Sequence, residues 1–390
     1  MTADTAAPRI DRSPADGPVL YRRGSVYTTV DPGASALIAE GSQVVWVGSE
    51  QAADSLQDDR MRVVELDGRL ITPAFVDSSV DLRRAGSPAR AASLGLGALV
   101  HTAAATAEDE GLQEWIEAAR SGTGPRILLW PTLASPAADD DSAGDADVET
   151  AVAELRAACE DVPLVGLRRR IGEGRSAEAA GFAASAGRAG LHPALAVSDR
   201  AGLAAALEGL ESIAAAEGER AVHALGVRID LIGAVDLPGA DLERIAACAA
   251  TVCLDPSSQA PVAELYRQGI PVVWGTGGAA LDGWEAVRSL MRHPDPQQRI
   301  SARAAFVAAT RGAWRALGGG HPLAGQLASG TPATYAVWEV EALMVQQAEG
   351  TGASWSTDPR ARTPLLPALE DEAAPRCTQT VVDGRSLPTA

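Results

Sequence analysis

The feature that most constrains this chain is a repeated change of texture. From Pro73 onward, short apolar runs alternate with Ala-rich amphipathic stretches: GALVHT (97–102), RILLWPT (126–132), VPLVGLR (162–168), HPALAVS (192–198), RIDLIG (228–233), TVCLD (251–255) and PVVWGT (271–276). AFVDSS (74–79) makes eight runs, and each is followed by a helical pattern such as DRAGLAAALEGLESIAAAEG (199–218). Parallel neighbours need a crossover, so repeated strand-helix units predict a parallel sheet. Eight of them predict an α/β fold, a (β/α)8 TIM barrel over residues 73–321. The flanks read differently. Residues 18–72 alternate β-formers with Gly and Asp turn signals, and residues 322–390 return to β character in ATYAVWEVEAL (333–343) and TQTVVDGRSL (378–387). A small β-sandwich domain built from both chain termini follows, with residues 1–17 a disordered tail.

Composition then narrows the chemistry. All 33 basic residues are arginine; the chain has no lysine and no asparagine. Without lysine there is no Schiff base, no P-loop lysine for phosphates and no carboxylated lysine to bridge two metals. A GC-rich coding bias accounts for the pattern, since the chain is also heavy in Ala and Gly. The net charge of −18 repels polyanions, so no nucleic acid is expected as a partner. Cys159, Cys248, Cys253 and Cys377 match neither a zinc knuckle nor a disulfide framework, which fits a reduced cytoplasmic chain. No apolar run approaches the roughly 18 residues of a membrane span, so no membrane association is expected. The acidic stretch DDDSAGDAD (139–147) lacks the fixed Gly and closing Glu of a calcium loop and reads as a solvated loop.

Functional groups of such barrels sit at the C-terminal ends of the strands. The candidates there are Ser79, Asp81, His101, Thr102, Thr132, Arg168 to Arg170, Ser198, Asp199, Asp255 and Thr276 to Gly278. Arg168 and Arg170 share one side of their strand and present forks suited to carboxylate or phosphate. The turn GTGGA (275–279) offers backbone N–H groups that can cradle an anion. Each has a structural alternative: arginines in an acidic chain pair with surface acids, and a Gly-rich string can mark a tight turn alone. The five histidines are His101, His192, His223, His293 and His321, of which only His101 ends a strand at the mouth.

The opening of the barrel, PAFVDSSVDL (73–82), resembles the first strand of the amidohydrolase superfamily, most closely its amidohydrolase-3 branch, which reads Pro-Gly-Phe-Val-Asp-x-His-x-His-Leu. AGLHPALAVSDRAGLAAALEGLES (189–212), GIPVVWGTGGA (269–279), ISARAAFVAATRGAWRALG (300–318), AGQLASGTPATYAVWE (324–339) and TVVDGRSL (380–387) are similar to later segments of that family. The resemblance covers roughly 18–388 and implies a barrel hydrolase of C–N bonds in non-peptide amides or imides.

The metal-binding residues that the resemblance would bring are replaced. Ser79 and Asp81 stand where the first strand has two histidines. The strand-five histidine falls on Leu195 and the strand-six histidine on Leu231, with Asp230 where the family often has Glu. The strand-eight aspartate falls on Gly277, and Arg168 to Arg170 occupy the neighbourhood of the fourth-strand lysine. A catalytic metal needs about three protein ligands, and only Asp81 remains, so no metal and no cofactor are expected. Without a metal there is no activated water and no Lewis acid. The reading is a pseudoenzyme acting as a binding or scaffold protein, for a small anionic ligand or a protein partner, with self-association also open. Its ligand candidates are Ser79, Arg168, Arg170, Thr276, Gly277 and Gly278. The alternative is a hydrolase with relocated acid/base residues, Asp81 as base with His101 or Asp199 assisting. The register of strand six is left open between His223 and Leu231.

Overall fold

The computed structural model describes residues 17–105, 109–135, 145–159, 161–278, 281–318, 322–349, 352–356, 364–369 and 374–388. His321, the tail up to residue 16 and positions 139–144 of the acidic stretch lie outside them. Asp145 already begins a helix, Asp145–Ala158, so the last part of that stretch is helical rather than loop.

All eight runs form strands: β1 (Phe75–Val80), β2 (Leu96–His101), β3 (Arg126–Leu129), β4 (Gly166–Arg170), β5 (His192–Val197), β6 (Arg228–Leu231), β7 (Thr251–Leu254) and β8 (Val272–Trp274). Neighbours pair in parallel and in chain order from β1 to β3 and from β4 to β8. The β3–β4 join runs through Leu129 to Leu164 and Thr132 to Arg168. His223 lies not on a strand but on the helix Glu219–Leu225, where its Nε2 meets the Ala247 carbonyl at 2.8 Å. The open register of strand six is thereby fixed, with no histidine in it.

Side chains alternate between two cores. Leu167, Leu195, Val197, Ile229 and Leu254 face the helices, packing with residues such as Leu203, Leu207 and Phe182. Val76, Ala98, Val100, Trp130, Ala194, Cys253 and Val273 fill the barrel interior. Most strands are therefore apolar on both faces, as parallel sheets require, and the inward faces of β4 and β6 are the charged exceptions.

The seam between β8 and β1 is built differently. Among the described residues it carries no strand ladder; the Gly277 N–H donates to the Ser79 carbonyl at 2.9 Å. Gly275 is the residue that permits this approach, because a Cβ there would lie 2.4 Å from the Ser79 Cβ and 2.5 Å from its backbone nitrogen. Asp77, fully buried, accepts from the Thr276 hydroxyl at 2.5 Å, the Thr276 N–H at 3.2 Å and the Ser79 N–H at 3.1 Å. One carboxylate thus ties the end of β8 to β1.

A small three-stranded sheet joins Leu343–Glu349 to Gly352–Ser356 and Leu366–Pro367, and both chain ends build two five-stranded sheets. One places Gln43–Gly48 between Thr331–Pro332 and Ala36–Glu40, followed by Val19–Arg22 and Arg62–Glu65; the other places Tyr335–Glu339 between Leu70–Pro73 and Arg376–Val382. Tyr21 and Tyr335 meet edge to face between the two sheets, centroids 5.6 Å apart. An aromatic cluster around Phe75, with Trp284 at 4.9 Å and Trp338 at 5.8 Å, fastens this β domain to the barrel. No described helix is long and apolar enough to cross a membrane.

Burial pushes the Asp77 carboxyl up to about 7, against the lowering effect of the bonds from Thr276 and Ser79. A carboxyl raised on folding adds stability that is complete below its unfolded value and is lost as pH rises through the folded one. Denaturation midpoints measured from about pH 4 to pH 8 should show this loss across roughly pH 4 to 7 in the native chain. In Asp77→Asn, which keeps the proton's place filled at every pH, that component should be flat.

Candidate functional site

The strand ends surround a cavity of about 1170 Å³, lined in part by Ser79, Asp81, Thr102, Thr132, Arg168 and Asp230. Its floor follows from the alternation of β4 and β6. Period two puts Arg228 and Asp230 on one face of β6 and Arg168 and Arg170 on one face of β4. The Arg228 guanidinium donates to both oxygens of Asp230, at 2.6 and 2.9 Å, and to the Ser78 carbonyl at 3.0 Å, and its Cζ lies over the Trp130 ring, 4.0 Å from the centroid. Arg168 Nε lies 2.9 Å from Asp230 Oδ2, an ion pair whose angle falls outside hydrogen-bond geometry. Arg228 and Asp230 are nearly solvent-free, and Arg168 is 9% exposed. Two guanidiniums against one carboxylate leave one net positive charge. Cys253 adds none: burial first, and then Asp230, push its thiol up to about 12.

Arg169 obeys the opposite phase. It is buried in the outer layer, 4.7 Å over the Phe182 ring and 3.9 Å from Glu178. Arg170, at the strand end, is exposed and lines the cavity.

Of the three acid/base candidates, Asp81 and His101 lie near enough for their charges to interact, and Asp199 is not with them. Asp81 lines the cavity but is engaged by Arg83, whose Nε donates to Oδ1 at 2.8 Å and Nη2 to Oδ2 at 3.0 Å. Burial opposes its ionisation, yet the Arg83 bonds and charge outweigh burial and hold the carboxyl below its ordinary range. His101 is buried in the wall, where its Nδ1 accepts the Leu82 N–H at 3.3 Å; the ring is therefore neutral, and burial lowers its pKa. Asp199 stands apart from the cavity lining. It caps the helix Arg200–Glu217, accepting from the Gly202 N–H at 2.8 Å and the Ser198 hydroxyl at 3.0 Å, and the first of these bonds is the main reason its pKa is lowered.

The ligand candidates divide in the same way. Arg168 and Arg170 face the cavity. Ser79 lines it too, its hydroxyl 2.9 Å from that of Thr102, whose backbone carbonyl accepts from the Thr132 hydroxyl at 2.5 Å. The glycine turn, however, is no anion cradle. Thr276 N–H goes to Asp77, Gly277 N–H to the Ser79 carbonyl, and Gly278 N–H to Thr276 Oγ1 at 3.3 Å. Gly277 and Gly278 have φ of 66° and 90°, and a Cβ on Gly278 would lie 2.7 Å from the Asp81 carbonyl, so the glycines serve the seam.

Two expected ligand positions also shift. Leu195 packs in the outer layer, and the inward residue at the mouth end of β5 is Ala196; Leu231 likewise packs outward while Asp230 faces in. The donors do not suit a metal. Both Asp230 oxygens are held by guanidiniums, both Asp81 oxygens by Arg83, and alanine and glycine stand on strands five and eight. Among the described residues no three His, Cys, Asp or Glu side chains converge for a metal.

Reading strand ends alone missed Arg228 and Asp77, since each is set back from the mouth. RIDL (228–231) carried the signal for the first: two opposite charges at period two inside an apolar run can be buried only as a pair. AFVD carried a weaker one, a lone acid in a strand apolar on both faces.

Residues 169–388 match the amidohydrolase family. No curated protein matches the sequence. Among solved structures, a triazine hydrolase variant is similar at 18% identity, covering 96% of this chain and 95% of that one with a TM-score of 0.65. N-isopropylammelide isopropylaminohydrolase from Burkholderia multivorans is similar at 16% identity, with 95% and 98% covered and a TM-score of 0.65. E. coli guanine deaminase is similar at 19% identity, with 95% and 98% covered and a TM-score of 0.65. At these identities the likeness is one of fold.

Asp230→Asn leaves two buried guanidiniums sharing a neutral amide, and its cost should be large, about 3 kcal/mol or more in a urea titration. Asp199→Ala should cost only about 1 kcal/mol, the worth of a helix cap.

Proposed function

Because this chain belongs to the amidohydrolase family and yet holds an arginine–aspartate cluster on its cavity floor, we propose that it binds a small anionic ligand and does not carry out metal-centred hydrolysis. The observation that carries this reading is the placement of Arg168. Asp230 fixes its guanidinium from behind while its outer edge borders the cavity, and Arg170 follows two residues later on the same side. A guanidinium held by a buried partner loses less side-chain freedom on binding, and its planar fork matches a carboxylate. The ligand's anionic group therefore sits against Arg168 with Arg170 closing over it. Its remainder fills the cavity toward the hydroxyls of Ser79 and Thr102.

The reading of a hydrolase with relocated residues has less support. Asp81 would have to leave Arg83 to act as a base, His101 has its Nδ1 occupied, and Asp199 is spent on a helix end. Nothing in that trio activates a water or polarises a carbonyl.

The test is a calorimetric titration with straight-chain carboxylates from acetate to octanoate, each beside its primary amide. The carboxylates should bind and the amides should not. Arg168→Met and Arg170→Met should each weaken binding by about tenfold or more, as loss of a charge-assisted contact does. Equal binding of acids and amides, or no binding along the whole series, would remove this reading.

A further inference from the structure

The charges around the cavity mouth are sorted by strand. After β1 comes Arg84 and at the end of β4 comes Arg170, both exposed, both lining the cavity and neither in an ion pair among the described residues. After β6 comes Asp236 and after β7 comes Asp255, again exposed and lining the same cavity without an arginine partner among the described residues. Because the strands follow one another in chain order around the barrel, β1 to β4 form one continuous arc and β6 and β7 another. The first arc is cationic and the second anionic. The uncharged Ser79–Thr102 hydroxyl pair lies within the cationic arc, and the Gly277 turn separates β7 from β1.

The free acids are also usable ones. Asp255 spends only Oδ1 on its own turn, accepting from the Ser257 N–H at 2.7 Å and the Ser257 hydroxyl at 2.5 Å. Oδ2 is outside those bonds. Asp81, which belongs to the cationic arc by sequence, is neutralised there by Arg83. What remains is a dipole across one cavity: a simple anion satisfies the arginine side and leaves two carboxylates facing its far end.

From this sorting we infer that the ligand is a zwitterion, a molecule with a carboxylate at one end and an ammonium or guanidinium at the other. This rests on the anion-binding reading and refines it. The carboxylate meets Arg168 and Arg170, and the cationic end meets Asp236 and Asp255. Opposite charges at both ends also repel wrong ligands, since an alkylamine would have to face the arginines and a dicarboxylate the acids.

The experiment uses the full chain and extends the carboxylate series with ω-amino acids from glycine to 8-aminooctanoate and with the matching alkylamines. At the chain length that spans the mouth, the ω-amino acid should bind about three- to tenfold more tightly than its plain carboxylate, the gain expected from partly exposed charge pairs. In Asp236→Asn/Asp255→Asn, which retains the Oδ1 acceptor for Ser257, that gain should disappear and the plain carboxylates should bind slightly better. An unchanged melting temperature without ligand shows that the variant is folded. Carboxylates that bind as well as every ω-amino acid would overturn the zwitterion inference and leave the anion reading standing. Binding by neither class, or by the alkylamines alone, would overturn both.

Discussion

One buried carboxylate shared by two guanidiniums sets the interior of this barrel. A guanidinium cannot shed its proton, so Arg228, enclosed among Trp130, Ser78 and Asp230, must be paired wherever it is buried. Its bidentate bonds orient Asp230, and Asp230 in turn positions Arg168 from the neighbouring side of the barrel. The register of β6 follows, because a slip of one residue would turn both Arg228 and Asp230 into the outer apolar layer. The same cluster consumes the carboxylate that would otherwise face the cavity as a free donor. In the proposed reading the concentrated positive charge that a metal centre supplies in a hydrolase comes from arginine; a guanidinium can bind an anion but cannot lower the pKa of a water.

The seam between β8 and β1 solves a second constraint. With no ladder there, the barrel closes through Asp77, the Gly277 amide and the close approach permitted by Gly275. All three amides of Thr276, Gly277 and Gly278 point into that closure. A turn that by composition suits a phosphate is thus used in holding the first strand to the last, and the proposed anion site rests instead on Arg168 and Arg170 of β4.

The fold was largely legible in the sequence, and for a physical reason. Eight apolar runs separated by amphipathic stretches of helical length leave few alternatives to a parallel barrel, and β-rich ends of opposite sequence position pair naturally in one domain. The inward and outward faces of the strands were less legible. In HPALAVS both faces are apolar, so nothing in the letters distinguishes Leu195, which faces helices, from Ala196, which faces the interior. The fate of Asp77 was hidden more deeply, since its partner Thr276 lies 199 positions away. Arg168 and Arg170 were readable because alternation alone places them together; Asp199 was misleading because a strand end and a helix cap are the same place in a βα unit.

The most direct measurement of whether this cluster has displaced a metal centre is elemental analysis of the full chain. The protein is incubated with zinc, manganese and iron salts, and free metal is then removed. The expected result is retention far below one equivalent per chain, for the wild type and for Asp81→Ala alike. One tightly held equivalent that is lost in Asp81→Ala or Asp230→Asn would mean that these carboxylates leave their arginines to bind metal, and would contradict an arginine-based site.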